Sequence, residues 1–463
     1  MKTVSEKSMN IPRIIIAGTG SGCGKTTISC AIIKALTCRG LDVGTFKCGP
    51  DYIDPMFHAQ ITGRKSSNLD SFLFDRNTLK YLLAKNGAEH DINIIEGVMG
   101  FYDGILENGL GTRGSTYEIS QITHTPVILT VSARGAAASV LAVIHGFMTF
   151  IPDNSICGVI FNQCTSSTYS LLEQEINRRF NGKITPLGYL PVLKDCYLES
   201  RHLGLVTAAE VDDLKEKLER LGNEAAACIK LDEICRLAGR APAISYDELP
   251  VNSMKPCAEK VRIAVARDKA FCFYYDDSMS LLEELGAQLV PFSPVSDTHL
   301  PDNIHGLYLG GGYPELYAGQ LSENTAMRTG LREILSDGLP CIAECGGFMY
   351  LTGSIAEYPM VSLIGTKCYD TGRLSRFGYV TLTAECDNML CRQGGAIAAH
   401  EFHYWDADKP GDSFTAVKPS GRSWKCVHAS DHLYAGFAHF HFYSDPSFAV
   451  SFIRACREYM ERQ

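Results

Sequence analysis

"AGTGSGCGKTT" (Ala17–Thr27) stands between the apolar run "RIIIAG" (13–18) and the segment "TISCAIIKALTCRG" (27–40). The β-branched run reads as a buried strand; the segment after it carries apolar residues at helical spacing and ends at Gly40. A glycine-rich turn from strand to helix aims several backbone N–H groups and the helix N-terminus at one point, which is what phosphate oxygens need. The strict pattern G-x-x-x-x-G-K-[ST] puts its first glycine at position 19, where this chain has Thr19 between Gly18 and Gly20. Gly24-Lys25-Thr26-Thr27 nevertheless keeps the chemistry: Lys25 neutralises phosphate charge and Thr26 offers its hydroxyl to Mg²⁺. The expectation is an ATP site built from Gly18, Thr19, Gly22, Gly24, Lys25, Thr26 and Thr27.

Further strand-like runs follow, "DVGTFKCG", "INIIEGVMG", "PVILTVSA" and "ICGVIFNQ", several of them separated by stretches of helical length. Such alternation predicts a parallel sheet with its functional groups at the strand C-terminal ends. Two of those ends are acidic: "KCGPDYIDP" with Asp51 and Asp54, and "IIEGVMGFYDG" with Glu96 and Asp103. Carboxylates beside a phosphate loop suit Mg²⁺, which takes oxygen ligands; any one of them alone is as well explained as a loop or cap residue.

Between about Val206 and Glu259 the pattern changes to a charged helical stretch and then a loop with three prolines, a candidate linker. A second alternating block begins at "KVRIAVA" and runs through "GLYLGGG", "GLPCIAECGG" and "YAGFAHFHFY". The expected division is an ATP-dependent domain over 1–245, a linker over 246–260 and a second α/β domain over 261–463. In "GLPCIAECGGFMYL", Cys345 sits on a strand–turn–helix corner, where a sharp turn exposes the side chain and the helix N-terminus favours thiolate. Cys341, four residues earlier in the strand, reads as a small buried hydrophobe. Near the C-terminus His439 is a candidate base, and His439 and His441 would share one face of a strand. "YLGGGYPE" supplies a glycine turn for an oxyanion, with Gly311 and Gly346 as the candidate donors.

The chain has 463 residues, more than one hydrophobic core usually supports, with 45% hydrophobic and 21% charged residues. A net charge of -9 speaks against nucleic acid as a partner. The 18 cysteines are scattered, none in C-x-x-C spacing, and the polar start "MKTVSEKSMN" has no signal-peptide core, so reduced thiols in the cytoplasm are expected. The most apolar window, "GAAASVLAVIHGFMTF" from Gly135, is too short to cross a bilayer and predicts a buried helix, so no membrane partner is expected. Thirteen histidines show no compact metal-ligand run.

The loop register, with Gly18 six residues before Gly24, resembles dethiobiotin synthetase and its amidoligase relatives; partition-type ATPases of the same superfamily carry a signature lysine where this chain has Gly20. "GPDYIDP", "NLDSF", "EGVMGFYDG" and "SRHLGLV" together resemble the cobyrinic acid a,c-diamide synthases, over almost the whole chain from about 13 to 455. That resemblance implies a P-loop NTPase parallel sheet with helices on both faces, followed by a flavodoxin-like class I glutamine amidotransferase domain. It implies Mg²⁺ near Thr26, Asp51 and Glu96. It also associates Tyr52, Asp54 and Asp103 with the carboxylate substrate and its phosphorylated intermediate, Asp54 and Asp103 being the catalytic candidates among them. Asn162 falls where relatives place an adenine-recognising Asn; a turn or capping role is the other reading. Arg201 and His202 in "SRHLG" are substrate-side or structural. "HEFHY" (His400–Tyr404) also matches the subgroup, at the tetrapyrrole site or the domain interface. The C-terminal block resembles triad-type amidotransferases, with Cys345 and His439 catalytic, but the usual His-x-Glu ending is His439-Phe440-His441. What orients His439 is left open.

The resemblance implies a ligase of cobalamin biosynthesis that amidates the a and c acetates of cobyrinic acid, with ATP and L-glutamine as co-substrates. It also implies a shielded path for ammonia between the domains, and a homodimer is compatible with it. The alternatives are the same reaction on hydrogenobyrinic acid or nickel-sirohydrochlorin, cobyric acid synthase, and a partition-type ATPase switch carrying a degenerate amidase.

Overall fold

The computed structural model describes residues 6–106, 109, 111–196, 200–201, 204–205, 213–253 and 259–463. The chain divides into two units, Met1–Leu249 and Pro250–Gln463. In the first, the elements run β1 (Glu6–Met9), β2 (Arg13–Gly18), α1 (Lys25–Cys38), β3 (Val43–Cys48), α2 (Ile53–Thr62), β4 (Ser67–Leu69), α3 (Arg76–Gly87), β5 (Ile92–Glu96) and α4 (Thr116–Thr123). They continue β6 (Val127–Ser132), α5 (Ser139–Phe150), β7 (Ile156–Asn162), α6 (Ser166–Phe180), β8 (Thr185–Leu190), β9 (Ser200–Arg201), β10 (Gly204–Leu205), α7 (Leu214–Cys228), α8 (Leu231–Ala238) and β11 (Ile244–Asp247).

Seven strands form one parallel sheet in the order β4-β3-β5-β2-β6-β7-β8. A parallel sheet covered by helices buries both faces of its inner strands, which is why β2 is continuously apolar rather than alternating. Ile14, Ile15 and Ile16 are wholly buried, each contributing about 1.5–3 kcal/mol. Arg13, at the start of that strand, is also fully buried. It is satisfied by Thr125 Oγ1 at 3.1 Å and by the carbonyls of Ile11, Thr123 and Pro242 at 2.9, 2.7 and 2.8 Å. The last of these ties β2 to the end of the unit. β1 pairs antiparallel with β11, so a strand of this unit runs into the stretch read as linker, and α7 packs on α1 as part of the same fold.

The apolar window at 135–150 departs from expectation. In α5 only Val140, Leu141 and Ile144 are buried, while Val143 and Phe150 are exposed, because a helix laid on a sheet buries one stripe. Arg201 lies on the short β9–β10 hairpin, and His202 lies outside the described residues. Among the described residues no helix is long and apolar enough to cross a membrane.

The second unit runs β12 (Val261–Ala266), α9 (Asp276–Glu284), β13 (Ala287–Phe292), β14 (Gly306–Leu309), α10 (Ala318–Glu323), α11 (Thr325–Ser336), β15 (Cys341–Glu344) and α12 (Gly346–Leu351). It continues β16 (Thr352–Ile355), β17 (Tyr358–Pro359), β18 (Ile364–Asp370), β19 (Arg376–Ala384), β20 (Ala396–His403), β21 (Trp405–Ala407), β22 (Phe414–Val417), β23 (Ser423–Cys426), β24 (His428–Ala429), β25 (Leu433–Gly436), β26 (His439–Phe440) and α13 (Pro446–Met460). The main sheet, β13-β12-β14-β15-β25-β24, is parallel except for β24, and its order is that of a flavodoxin-like fold. Two further sheets, β17-β16-β18-β21 and the antiparallel β23-β22-β19-β20-β26, were not anticipated from the sequence. The expectation that His439 and His441 share a strand is corrected: β26 ends at Phe440, and His441 begins a short turn.

Candidate active sites

Strand order, not chain order, assembles the first site. β5 lies between β3 and β2, so Glu96 at its end pairs in register with Lys47 on one side and Ile16 on the other. The glycine loop leaves β2 beside it. Lys25 Nζ turns back to donate to Gly20 O at 3.1 Å, and burial lowers the pKa of this lysine. Thr26 Oγ1 donates to Glu96 Oε1 at 2.6 Å and lies 3.3 Å from Asp54 Oδ1. Lys47, nearly inaccessible, is ion-paired to Asp54 and, at 3.1 Å, to Glu96 Oε1; His58 Nε2 meets Glu96 Oε2 at 2.8 Å.

Burial alone would raise the Glu96 carboxyl, but Lys47, His58 and the Thr26 hydroxyl outweigh it and hold Glu96 well below the usual carboxylate range. Asp54, desolvated and facing Glu96, is pushed up instead. Burial opposes the charge on Lys47, yet Asp54 and Glu96 together hold this ammonium well above its ordinary value.

Asp51 caps a helix at the edge of this cluster, close enough for its charge to act on Asp54 and Lys47. Its carboxylate accepts from the Ile53 and Asp54 amides, at 2.8 and 3.4 Å, and so starts α2. Tyr52 is buried at the cap of that helix. Asp103 is exposed and accepts from the Gly100 amide at 2.8 Å. Asn162, at the end of β7, donates to Cys23 O at 3.0 Å and accepts from the Gln163 amide, bracing the phosphate loop. Gly24 is required there: its φ is +98°, and a Cβ would stand 1.9 Å from Asn162 Nδ2.

The donor chemistry fits Mg²⁺. Thr26, Asp54 and Glu96 bring hydroxyl and carboxylate oxygens to one point, and Mg²⁺ commonly takes one or two carboxylates and completes its shell with phosphate and water. Among the described residues no group of three or more His, Cys, Asp or Glu side chains forms a cage by itself.

In the second unit, Cys345 adopts φ +50° and ψ -104° at the strand-to-helix corner between β15 and α12, a conformation that costs a non-glycine residue strain. The thiol is buried, and burial with the nearby Glu315 charge pushes its pKa far up, whereas the Gly346 N–H points at the sulfur and opposes the rise. The upward shift favours the thiol over the thiolate in this side chain at rest. His439 is also buried and lies against the glycine turn: a Cβ on Gly311 would be 2.4 Å from His439 Cε1. Gly347 donates to Gly310 O at 3.0 Å, which holds the turn against the Cys345 corner. β20 pairs with β26 so that His400 lies opposite His439, the rings stacking 5.1 Å apart. The "HEFHY" segment is thus placed on the His439 side of this unit. His400 accepts or donates to Tyr275 Oη at 2.7 Å, and Glu401 pairs with His403 at 3.2 Å.

Sequence reasoning passed over Lys47, His58, Tyr275 and Glu344. A lysine near the end of the apolar strand "VGTFKC" was a usable signal, because a buried ammonium needs carboxylates; His58 and Tyr275 offered none.

The two sites define a nucleotide-binding domain followed by an amidotransferase domain. Residues 14–203 match the CobQ/CobB/MinD/ParA nucleotide binding domain family, and residues 262–447 match the CobB/CobQ-like glutamine amidotransferase domain family. The chain is 40% identical over 454 residues to the cobyrinate a,c-diamide synthase of Caldanaerobacter subterraneus, covering 96% of this chain and 98% of that one. It is 39% identical to the Clostridium acetobutylicum enzyme of the same name (95% and 99%) and 38% identical to that of Priestia megaterium (97% and 98%). This chain belongs to the cobyrinate a,c-diamide synthase family. Among solved structures, a glutamine amidotransferase crystal structure aligns with 42% of this chain and 98% of its own at a TM-score of 0.32 and 14% identity, too remote to bear on the fold.

Proposed function

We propose that this enzyme amidates the a and c acetates of cobyrinate, using one ATP and one glutamine for each amide. The relatives carry the cobyrinate name, so this ring, rather than hydrogenobyrinic acid or nickel-sirohydrochlorin, is the substrate taken here. A partition-type switch finds no support beside a buried thiol at a strained corner, with a buried histidine packed on the neighbouring glycine turn. That pairing of an amidotransferase corner with a phosphate loop in one chain is the observation that carries the proposal.

A carboxylate resists ammonia because oxide is a poor leaving group. The acetate oxygen attacks the γ-phosphorus of ATP, ADP leaves, and the acyl phosphate then exchanges phosphate for ammonia. Lys25 offsets charge on the phosphates, and the amides of the Gly18–Thr27 loop cradle them. Mg²⁺, when bound, neutralises developing charge on the phosphates, held by Thr26 and Glu96 with Asp54; Asp51, which caps α2, supports that wall. Tyr52 and Asp103 are assigned to the acetate side. In the second unit His439 takes the Cys345 proton as sulfur attacks the glutamine amide carbon, with the Gly311 and Gly346 amides facing the oxyanion. His439 returns the proton to nitrogen, the C–N bond breaks, ammonia leaves, and water hydrolyses the thioester to glutamate.

A cytoplasmic homodimer goes with this reading. Its supports are that the seventeen described cysteines are all thiols and that α5 exposes Val143 and Phe150. Cys345→Ala should abolish glutamine-driven amidation and keep the ammonia-driven reaction, scored by the mass of the ring product. Loss of both reactions alike would refute the division of labour.

A further inference from the structure

We propose that Glu344, the residue immediately before the nucleophile, is the carboxylate that positions His439 and balances the charge it gains during glutamine hydrolysis. The inference rests on the glutaminase reading of this unit and supplies the part its sequence lacks, since the residue two beyond His439 is His441. His441 cannot take the role: it is wholly buried, burial pushes its pKa down to about 3, and its Nδ1 accepts from the Tyr443 amide at 3.1 Å.

Glu344 reaches His439 through sheet register. It ends β15 and pairs with Gly436, the last residue of the neighbouring β25, and three residues later the chain arrives at His439. Glu344 Oε2 lies 3.7 Å from His439 Nδ1, with both side chains almost fully buried. That separation is an ion-pair contact rather than a hydrogen bond, and catalytic contacts of this kind commonly tighten when substrate binds.

The carboxylate is held in place from two sides. Oε1 accepts from the Phe440 amide at 3.2 Å, and Oε2 accepts from Tyr308 Oη at 3.1 Å. Because Phe440 follows His439 directly, the first bond makes carboxylate and imidazole move together. The stacked partner on the other side, His400, is kept neutral by burial, with His439 adding to the effect. Glu401 is engaged by His403. A buried anion at Nδ1 fixes the ring and its tautomer and stabilises the imidazolium, the role the aspartate plays in serine triads. Here it comes from the nucleophile's own strand.

The test is Glu344→Gln, which keeps shape and hydrogen bonding and removes charge. Steady-state glutamine hydrolysis is expected to lose roughly 100-fold in kcat with KM for glutamine little changed, and the ratio of glutamine-driven to ammonia-driven amidation should fall by the same factor. A purely structural role would lower both amidation rates together. Tyr308→Phe, which keeps the charge and removes one anchor, should lose several-fold in kcat and gives the answer should Glu344→Gln fail to fold. Wild-type kcat in either variant, or a parallel fall in both amidation rates, overturns the proposal for Glu344 alone. A wild-type enzyme that hydrolyses no glutamine overturns the glutaminase reading with it.

Discussion

Lys47→Met is the perturbation whose consequences the structure defines most closely. The Lys47 ammonium is the cation between two carboxylates, Asp54 and Glu96, and all three side chains are at most a tenth exposed. Methionine keeps the apolar stem, so packing changes little, but the carboxylates are left facing each other without their cation. Removing one partner of a buried ion pair costs about 3–5 kcal/mol. The cost depends on pH with a definite sign. Lys47 is held above its ordinary value, so its stabilisation is present at neutral pH and lost only as pH rises through that raised value. In the variant, Asp54, already pushed up by burial and Glu96, can take a proton and relieve the repulsion as pH falls. We therefore expect a loss of about 3–5 kcal/mol at pH 8 and a loss smaller by about 1–3 kcal/mol at pH 5.5. Both tryptophans, Trp405 and Trp424, lie in the C-terminal unit. Urea unfolding followed by far-ultraviolet circular dichroism should thus show an early transition that tryptophan fluorescence does not. A loss under about 1 kcal/mol, or one equal at both pH values, would refute the assignment of Lys47 as the cation holding this site.

Two other substitutions probe the C-terminal unit. Gly311→Ala puts a methyl 2.4 Å from His439 Cε1 and 3.4 Å from Phe273 Cβ, so the imidazole must move. Glutamine-driven kcat should fall roughly 10- to 100-fold while the ammonia-driven rate is kept; equal loss of both would contradict it. His441→Asn tests a buried neutral histidine. With its pKa depressed from 6.5 to about 3, the folded state is favoured above pH 6.5 and loses that advantage as pH falls toward 3. Between pH 7.5 and 5 the wild type should lose about 2 kcal/mol more than the variant, read by tryptophan fluorescence in urea; identical pH slopes would show that His441 is not held neutral.

The elements that could be read in advance were those specified by neighbours in sequence. β2, β3, β5, β6 and β7 were legible because strands covered on both faces carry mostly apolar runs, with polar residues such as Lys47 and Glu96 near their ends. β16 to β23 fall outside that pattern: β17 (Tyr358–Pro359) is too short to leave a periodic trace, while β18 carries a half-exposed alternation of buried and exposed residues instead of an apolar run. α5 was read as buried because its composition is apolar, yet composition does not say which stripe meets the sheet.

The chain alone determined its glycine-rich strand-to-helix loop and its strained corner at Cys345, since each is a run of a few consecutive residues whose glycines and caps dictate backbone geometry locally. Family membership was legible from the same kind of contiguous segment. The tertiary structure decided which side chains meet. Thr26, Lys47, Asp54 and Glu96 converge because β5 inserts between β3 and β2. Glu344 reaches His439 because β15 and β25 pair in a register that sets residue 344 beside residue 436. Strand order and register are settled by packing the whole sheet, and no local pattern of hydrophobicity encodes the distance from a carboxylate to an imidazole 95 residues away.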